Sequence, residues 1–234
     1  MFDGFFEKFN RIFIEGESYK LLLDGLGYTI IIAVISVVLG IILGTLIAVC
    51  KVIPHNNIFT KTLNGFANVY ITVIRGTPVM VQLLLFYYGI FSGYMRSFEY
   101  KAVFIAILVF GINSSAYVAE IIRSGIQSIS VGQTEAGRSL GLKYSSTMWY
   151  IILPQAIKNI LPALGNEFIV MIKETSVAGF ITVFDLTRAA RAIVTNHYDA
   201  FVPYLVLAAV YLILVMIATF FLNLLERRLK KSDH

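Results

Sequence analysis

The chain has 234 residues, of which 58% are hydrophobic and 14% are charged, and its formal net charge is +5. Soluble domains usually carry about 25% charged and 45–50% apolar residues, so this composition excludes an ordinary soluble domain and predicts a polytopic membrane protein. The single cysteine, Cys50, excludes an intrachain disulfide or a cysteine-based metal site. The three histidines lie far apart in sequence, and we predict no metal site.

Residues 1–18 are predicted to form a short amphipathic helix that lies in the membrane interface. Apolar side chains recur near helical spacing through this segment, at Phe2, Phe5, Phe6, Phe9, Ile12 and Phe13. Acidic residues outnumber basic ones here, which is the wrong sign for the n-region of a signal peptide, so we expect no cleavable signal. The alternative is a disordered, aromatic-rich lead-in.

Five apolar stretches are each long enough to cross a bilayer core as a helix, which takes about 20 residues. Their expected limits are 21–50, 66–92, 102–126, 148–171 and 202–225. We therefore predict an all-α fold with about five transmembrane helices in a single transmembrane domain over residues 19–230. In the first stretch, Gly40 and Gly44 would let another helix approach closely.

The second stretch is interrupted by Gly76-Thr77-Pro78, with Gln82 four residues further on. Proline lacks a backbone donor and disfavours helical geometry in the residue before it, so a regular helix cannot continue well through this point. The backbone groups that such a break frees are tolerated near a membrane only beside a cavity or protein.

The third stretch carries polar side chains on one helical face, because Asn113, Tyr117 and Glu120 follow the spacing i, i+4, i+7. Polar groups are costly inside a membrane and usually face a cavity or a partner. An acid beside an amide and a phenol suits a zwitterionic or cationic solute, whose dehydrated cation needs a counter-charge. The alternative is that Glu120 pairs with an arginine such as Arg123 and joins helices.

Residues 127–154 are expected to form a polar insert that contains the run from Glu135 to Gly141. This run is helix-forming but too charged to lie in lipid, so a membrane protein would present it to a soluble partner. Its spacing, E-A-G-x3-G-x9-I-x-L-P, resembles the cytoplasmic coupling loop of ABC-importer permeases, with Gly137 where that pattern prefers alanine. We expect that a side chain at Gly141 would clash at the turn between two short helices.

No catalytic constellation is present in the sequence. It contains no phosphate-binding loop of the form G-x4-G-K-[ST] and no nucleophile elbow, so we predict no catalytic residue and no enzymatic activity. The basic residues are scattered, apart from a C-terminal cluster that follows an apolar stretch, so nucleic acid is not an expected partner. That cluster predicts a cytoplasmic C-terminus and an N-terminus outside the cell.

Several segments together resemble the polar-amino-acid family of ABC-importer permeases, the histidine, arginine and glutamine type, over about residues 20–230. The segments that carry the resemblance are Val73–Pro78 with Val81 and Gln82, Asn113–Arg123, the insert at 135–154, Pro154–Ala156 through Leu161 and Pro162, Gly165–Glu167 and Lys173–Ser176. The resemblance implies a multi-pass permease subunit of the cell membrane that works with a second permease subunit, either identical or similar.

The same resemblance implies two cytoplasmic ATPase subunits, which would bind the ATP, and an extracytoplasmic amino-acid-binding protein; no cofactor is expected in this chain. Candidate substrate-binding residues are Asn113, Ser115, Tyr117, Glu120, Gln82 and Asn166. Candidate residues for coupling to the ATPase are Glu135, Ala136, Gly137, Gly141, Leu153 and Pro154.

The rival hypothesis is a stand-alone secondary transporter or channel with Glu120 as an ion or proton relay. It leaves the polar insert without a function. It also predicts inverted repeats or twice as many helices, and neither is visible in the sequence.

Overall fold

The computed structural model describes residues 4–54, 56–94 and 98–231, and these residues form helices and connecting turns without any strand. The predicted all-α fold is confirmed. The α-helices in these ranges are α1 Phe5–Phe9, α2 Tyr19–Val52, α3 Ile58–Gly76, α4 Val79–Leu84, α5 Lys101–Gln127, α6 Val131–Ser139, α7 Tyr144–Thr147, α8 Leu153–Glu174, α9 Leu186–His197 and α10 Phe201–Lys231. Wider π-helical turns extend α1, α4 and α7 through Asn10–Glu15, Leu85–Ile90 and Met148–Ile152, and a 3-10 segment, Thr175–Ile181, follows α8.

Each predicted apolar stretch lies on one of these helices or helical runs. Within the described ranges, α2, α5 and α10 are long and apolar enough to cross a membrane, and the bent pair of α3 with the α4 run makes a fourth if it counts as one span. The stretch 148–171 lies on the continuous helical run from α7 into α8, which does not meet the same criterion of length and hydropathy.

The predicted break at Gly76-Thr77-Pro78 is confirmed, since α3 and the α4 run meet there at a bend of 99°. The predicted start of the second stretch at residue 66 is wrong, because α3 begins at Ile58. Asn57 caps that helix: its side chain accepts a hydrogen bond from the Thr60 amide at 2.8 Å, while the Thr60 hydroxyl accepts one from the Asn57 amide. Two backbone donors that would otherwise be unsatisfied at the helix start are thereby paired.

The chain divides into two compact units, each assembled from separate parts of the sequence. One comprises Met1–Ser36, Pro78–Phe110 and Ile169–Ala218; the other comprises Val37–Thr77, Gly111–Phe168 and Thr219–His234.

In the first unit, the N-terminal segment packs against α9 and the start of α10. Ile12 and Phe13 are buried in one apolar cluster with Leu186 and Ile193 of α9. Lys8 forms an ion pair with Asp199 at 2.7 Å, which also joins the N-terminal segment to the loop before α10. The predicted N-terminal helix is therefore present from Phe5, and its position at the membrane interface stays a prediction.

In the second unit, α2 approaches α5 closely at two glycines. A Cβ atom added to Gly40 would lie 2.8 Å from the Ser114 Cβ, and one added to Gly44 would lie 2.7 Å from the Ser115 carbonyl oxygen. These distances are shorter than van der Waals contact, so only glycine fits at either position. The predicted close approach is confirmed, and it holds the polar segment of α5 against α2.

Candidate functional site

A cleft of about 500 Å³ opens in the second unit between residues of α3, α5 and α8. Its polar lining residues include Arg75, Tyr117, Glu120, Arg123, Ser128 and Asn159. Asn159 of α8 donates a hydrogen bond to the Ser128 hydroxyl at 2.8 Å, which links one wall of the cleft to the residues that follow α5. The predicted candidates Tyr117 and Glu120 both line this cleft.

Both carboxylate oxygens of Glu120 are engaged by cations. Lys51, at the end of α2, donates to Oε1 at 2.7 Å. Arg123 donates to Oε2 from Nη2 at 2.7 Å and from Nε at 3.0 Å. Glu120 therefore pairs with Arg123, as the alternative expects, but this pair lies within α5; the pair with Lys51 joins α5 to α2 and was missed by sequence reasoning. We call these three residues the ion triad; it carries two positive charges and one negative charge. A contact of Glu120 with substrate stays a prediction.

Arg75 occupies the last turn of α3 and reaches the cleft over the ring of Tyr117. Its guanidinium carbon lies 5.0 Å from the ring centroid, a cation–π distance. Arg75 is exposed and, within the described part of the chain, forms no ion pair. Sequence reasoning included Arg75 only in the family-like segment Val73–Pro78; its approach to Tyr117, which lies 42 positions further on, depends on the tertiary fold.

Glu167 is a buried carboxylate on α8 that the candidate list missed. Only 8% of the residue is exposed, and the Ser114 hydroxyl donates a hydrogen bond to its Oε1 at 2.8 Å. Asn166, which was predicted instead, is exposed and is not part of the cleft lining. Consecutive helical residues point about 100° apart, so the side chains of Asn166 and Glu167 cannot both face the protein interior.

The remaining candidates of the predicted substrate set lie elsewhere. Asn113 and Ser115 are buried rather than part of the cleft lining. The Ser115 hydroxyl lies 2.7 Å from the Tyr70 hydroxyl and donates to the Ile112 carbonyl at 2.7 Å. Gln82 is buried in the other unit. Of the predicted residues on α5, Tyr117 and Glu120 line the cleft, whereas Asn113 and Ser115 lie on the faces of the helix that are used for packing.

The polar insert consists of α6 and α7, joined by a turn at Gly141. Gly137 is buried, and a Cβ atom added there would lie 2.7 Å from the Thr147 Cγ2 atom. Thr147, which is fully buried, therefore occupies the space that a side chain at position 137 would need. The two short helices are locked together by this contact.

The predicted clash at Gly141 is wrong, because a Cβ atom added there would meet nothing within 4 Å. The constraint lies in the backbone, whose φ of +80° is in the left-handed region that disfavours side chains. Glu135, Ala136 and Pro154 are exposed, and Leu153 is half-buried. The insert thus presents a polar surface that includes Glu135, with Leu140 also 81% exposed.

Comparison with known proteins gives concordant results over most of the chain. The family model described as "binding-protein-dependent transport system inner membrane component" matches residues 37–231. A putative glutamine transport system permease protein, GlnP of Rickettsia typhi, is 38% identical over 89% of this chain and 92% of its own length. The arginine transport system permease protein ArtQ of Bacillus subtilis is 37% identical over 91% of this chain and 94% of its own.

Among solved structures, one described as an amino acid ABC transporter with histidines superposes with a TM-score of 0.83 at 44% identity. The match covers 92% of this chain and 96% of that one. The rival hypothesis of a stand-alone transporter or channel has no support in these similarities. The chain belongs to the family of binding-protein-dependent transport system inner membrane components, as a multi-pass ABC-importer permease subunit that leaves ATP hydrolysis to a separate subunit.

Proposed function

We propose that this chain is the permease subunit of an ATP-driven importer of polar amino acids. The observation that carries the proposal is the interlocked polar insert on a membrane domain, with Glu135 exposed on it. The names of the relatives, which refer to glutamine and arginine transport, support the substrate class.

The insert is positioned to pass movement to the cleft through a helix. From Tyr144 to Glu174 the chain is continuously helical, and α8 carries both Asn159 and Glu167. When the two ATPase subunits close on ATP, displacement of the insert would move this helix as a rigid body and switch the cleft between inward- and outward-facing states. Such a displacement shifts the population only if the contacts of the insert differ between the two states.

The assembly that we propose contains two such permease subunits, identical or similar, two cytoplasmic ATPase subunits and an extracytoplasmic amino-acid-binding protein. The ATPase would receive Glu135, Ala136 and the turn at Gly141, with Leu153 and Pro154 at the start of α8, while the buried Gly137 would contribute by letting α6 pack against α7. The basic residues at the end of α10 support a cytoplasmic C-terminus, and the N-terminus would then lie outside.

Within the cleft, Tyr117 and Glu120 are the predicted substrate-site residues that face the open space. Asn113 and Ser115 would hold α5 in place behind these two residues, and Gln82 and Asn166 stay candidate substrate-binding residues. No cofactor is proposed for this chain, since ATP would be held by the partner subunits.

Reconstitution tests this proposal. Proteoliposomes that contain the permease and the ATPase of its operon should take up polar amino acids when the binding protein and ATP are supplied. Glu135→Lys should insert normally but lose at least about tenfold in uptake, because a reversed charge would disrupt docking of the exposed insert. Wild-type uptake by Glu135→Lys would contradict the docking role. Uptake driven by an ion gradient without the ATPase would favour the stand-alone transporter.

A further inference from the structure

We propose that Arg75 binds the α-carboxylate of the transported amino acid. This inference rests on the proposed function and adds the part of the substrate that the cleft recognises. Arginine within a membrane-spanning segment is costly, and such residues usually face a water-filled cavity with a functional partner. Arg75 lines the cleft, and its guanidinium forms no ion pair with any described residue.

The charge of the cleft favours an anionic group. Glu120 is the one carboxylate in its described lining, and both of its oxygens already accept hydrogen bonds from Lys51 and Arg123. The ion triad is thus net positive before Arg75 is added. A substrate ammonium group would have to displace a cation from Glu120. Arg75 interacts electrostatically with the buried Glu167 but forms no ion pair among the described residues, so a carboxylate could bind it directly.

Tyr117 fixes the orientation of the guanidinium. The guanidinium carbon lies over the ring at 5.0 Å from its centroid, a cation–π contact that uses the face of the guanidinium rather than its N–H donors. A guanidinium held in this way presents two parallel donors, the geometry that matches a carboxylate, and it loses less conformational freedom on binding than an unsupported side chain would. The helix ends at the next residue, Gly76.

Because every amino acid carries the carboxylate, this contact would not decide which one is transported. It would instead distinguish an amino acid from the amine that has the same side chain but lacks the α-carboxylate. The expected preference is about ten- to a hundredfold, the range associated with hydrogen bonds to a charged group.

The experiment measures binding to the detergent-solubilised permease–ATPase complex without the binding protein, which would impose its own selectivity. The probes are L-arginine with agmatine and L-glutamine with 4-aminobutanamide, so that each pair differs by the carboxylate. Wild type should prefer each amino acid to its decarboxylated partner. Arg75→Gln should abolish the preference by weakening the binding of the amino acid but not of its decarboxylated partner. Arg75→Lys keeps the positive charge but lacks the two parallel N–H donors of the guanidinium, so it should leave a reduced preference.

Arg191→Gln is the matched control, because Arg191 stacks on Phe180 at 5.4 Å but lies in the other unit and outside the cleft lining. It should leave the preference unchanged. The inference is overturned if Arg75→Gln weakens both members of a pair equally or neither, and Arg75→Lys decides the matter if Arg75→Gln does not fold. Failure of the wild-type importer to bind or transport any amino acid would instead contradict the proposed function.

Discussion

The side chain of Thr147 fills the space beside Gly137 that a side chain at position 137 would need. A Cβ atom at Gly137 would lie 2.7 Å from the Thr147 Cγ2 atom and 2.9 Å from its Oγ1 atom. The alanine that the coupling-loop pattern prefers at this position is therefore excluded in this chain by the threonine opposite. The Thr147 methyl group fills the space of the missing alanine methyl, and this compensates for the departure from the pattern.

Gly137→Ala should destabilise the insert and reduce the uptake obtained for each ATP hydrolysed. Overpacking of a buried contact typically costs about 1–3 kcal/mol. Thr147→Ala in the same protein should restore coupling, because it removes both atoms that would clash. Gly132→Ala, on the same helix, is the control: its Cβ would come no closer than 3.5 Å to the Ser130 hydroxyl oxygen. Equal effects of the two glycine substitutions would contradict the interlock.

Gly141→Leu should impair coupling through backbone strain rather than through a clash. A left-handed conformation costs most residues about 1–2 kcal/mol, whereas asparagine adopts it more readily. Gly141→Asn should therefore retain most of the uptake that Gly141→Leu loses, as measured in proteoliposomes. If both variants are equally inactive, contact with the ATPase, and not the φ of +80°, is the constraint.

Glu120→Gln should lower the melting temperature of the solubilised protein. It removes the negative charge that both Lys51 and Arg123 contact, and loss of a hydrogen bond to a charged group costs about 1.5–3 kcal/mol. Because the carboxylate is already paired, the apparent affinity for substrate should change much less than in Arg75→Gln. A normal melting temperature with strongly weakened binding of cationic amino acids would restore Glu120 as the substrate counter-charge.

The Lys8–Asp199 ion pair should make the first unit sensitive to acid. Lys8, and then the Val202 amide, hold the pKa of the Asp199 carboxyl below its usual value. A carboxyl whose pKa is lowered on folding stabilises the protein above its unfolded pKa of about 3.9, and this contribution is lost as the pH falls through the folded value. Asp199→Asn should therefore melt at a lower temperature than wild type at neutral pH, and the difference should shrink as the pH falls through the lowered pKa of the Asp199 carboxyl. Lys8 is half exposed, so the effect will be small, and a difference that persists in acid would contradict the assignment.

The parts of the fold that local chemistry dictates could be predicted from the sequence. Proline at position 78 was enough to predict the break after α3, and apolar runs of sufficient length marked the long helices. The start of α3 at Ile58 was missed because residues 58–65 are too polar for an apolar run. The signal was nevertheless present in Asn57 and Thr60, which form the cap.

Helical spacing was enough to predict that Tyr117 and Glu120 share the cleft. It could not identify Lys51 and Arg75 as their neighbours, or Glu167 as the partner of Ser114, because those contacts join residues that are far apart in sequence. The choice between Asn166 and Glu167 depended on the rotation of α8, which packing sets and composition does not.

The glycine contact between α2 and α5 gives the cleft one fixed wall. Gly40 and Gly44 of α2 lie against α5, and Lys51 of α2 binds Glu120 of α5. No room is left at the two glycines for a larger side chain to pass, so we expect that α2 and α5 do not slide along one another. Access to the cleft is then expected to be controlled by α8, which meets α5 through the Ser114–Glu167 hydrogen bond and the packing of Ile160 on Gly125, and meets the residues after α5 through the Asn159–Ser128 hydrogen bond. In this arrangement α2 and α5 form the fixed part of the cleft, and the helical run that begins in the insert and continues into α8 forms the part that moves.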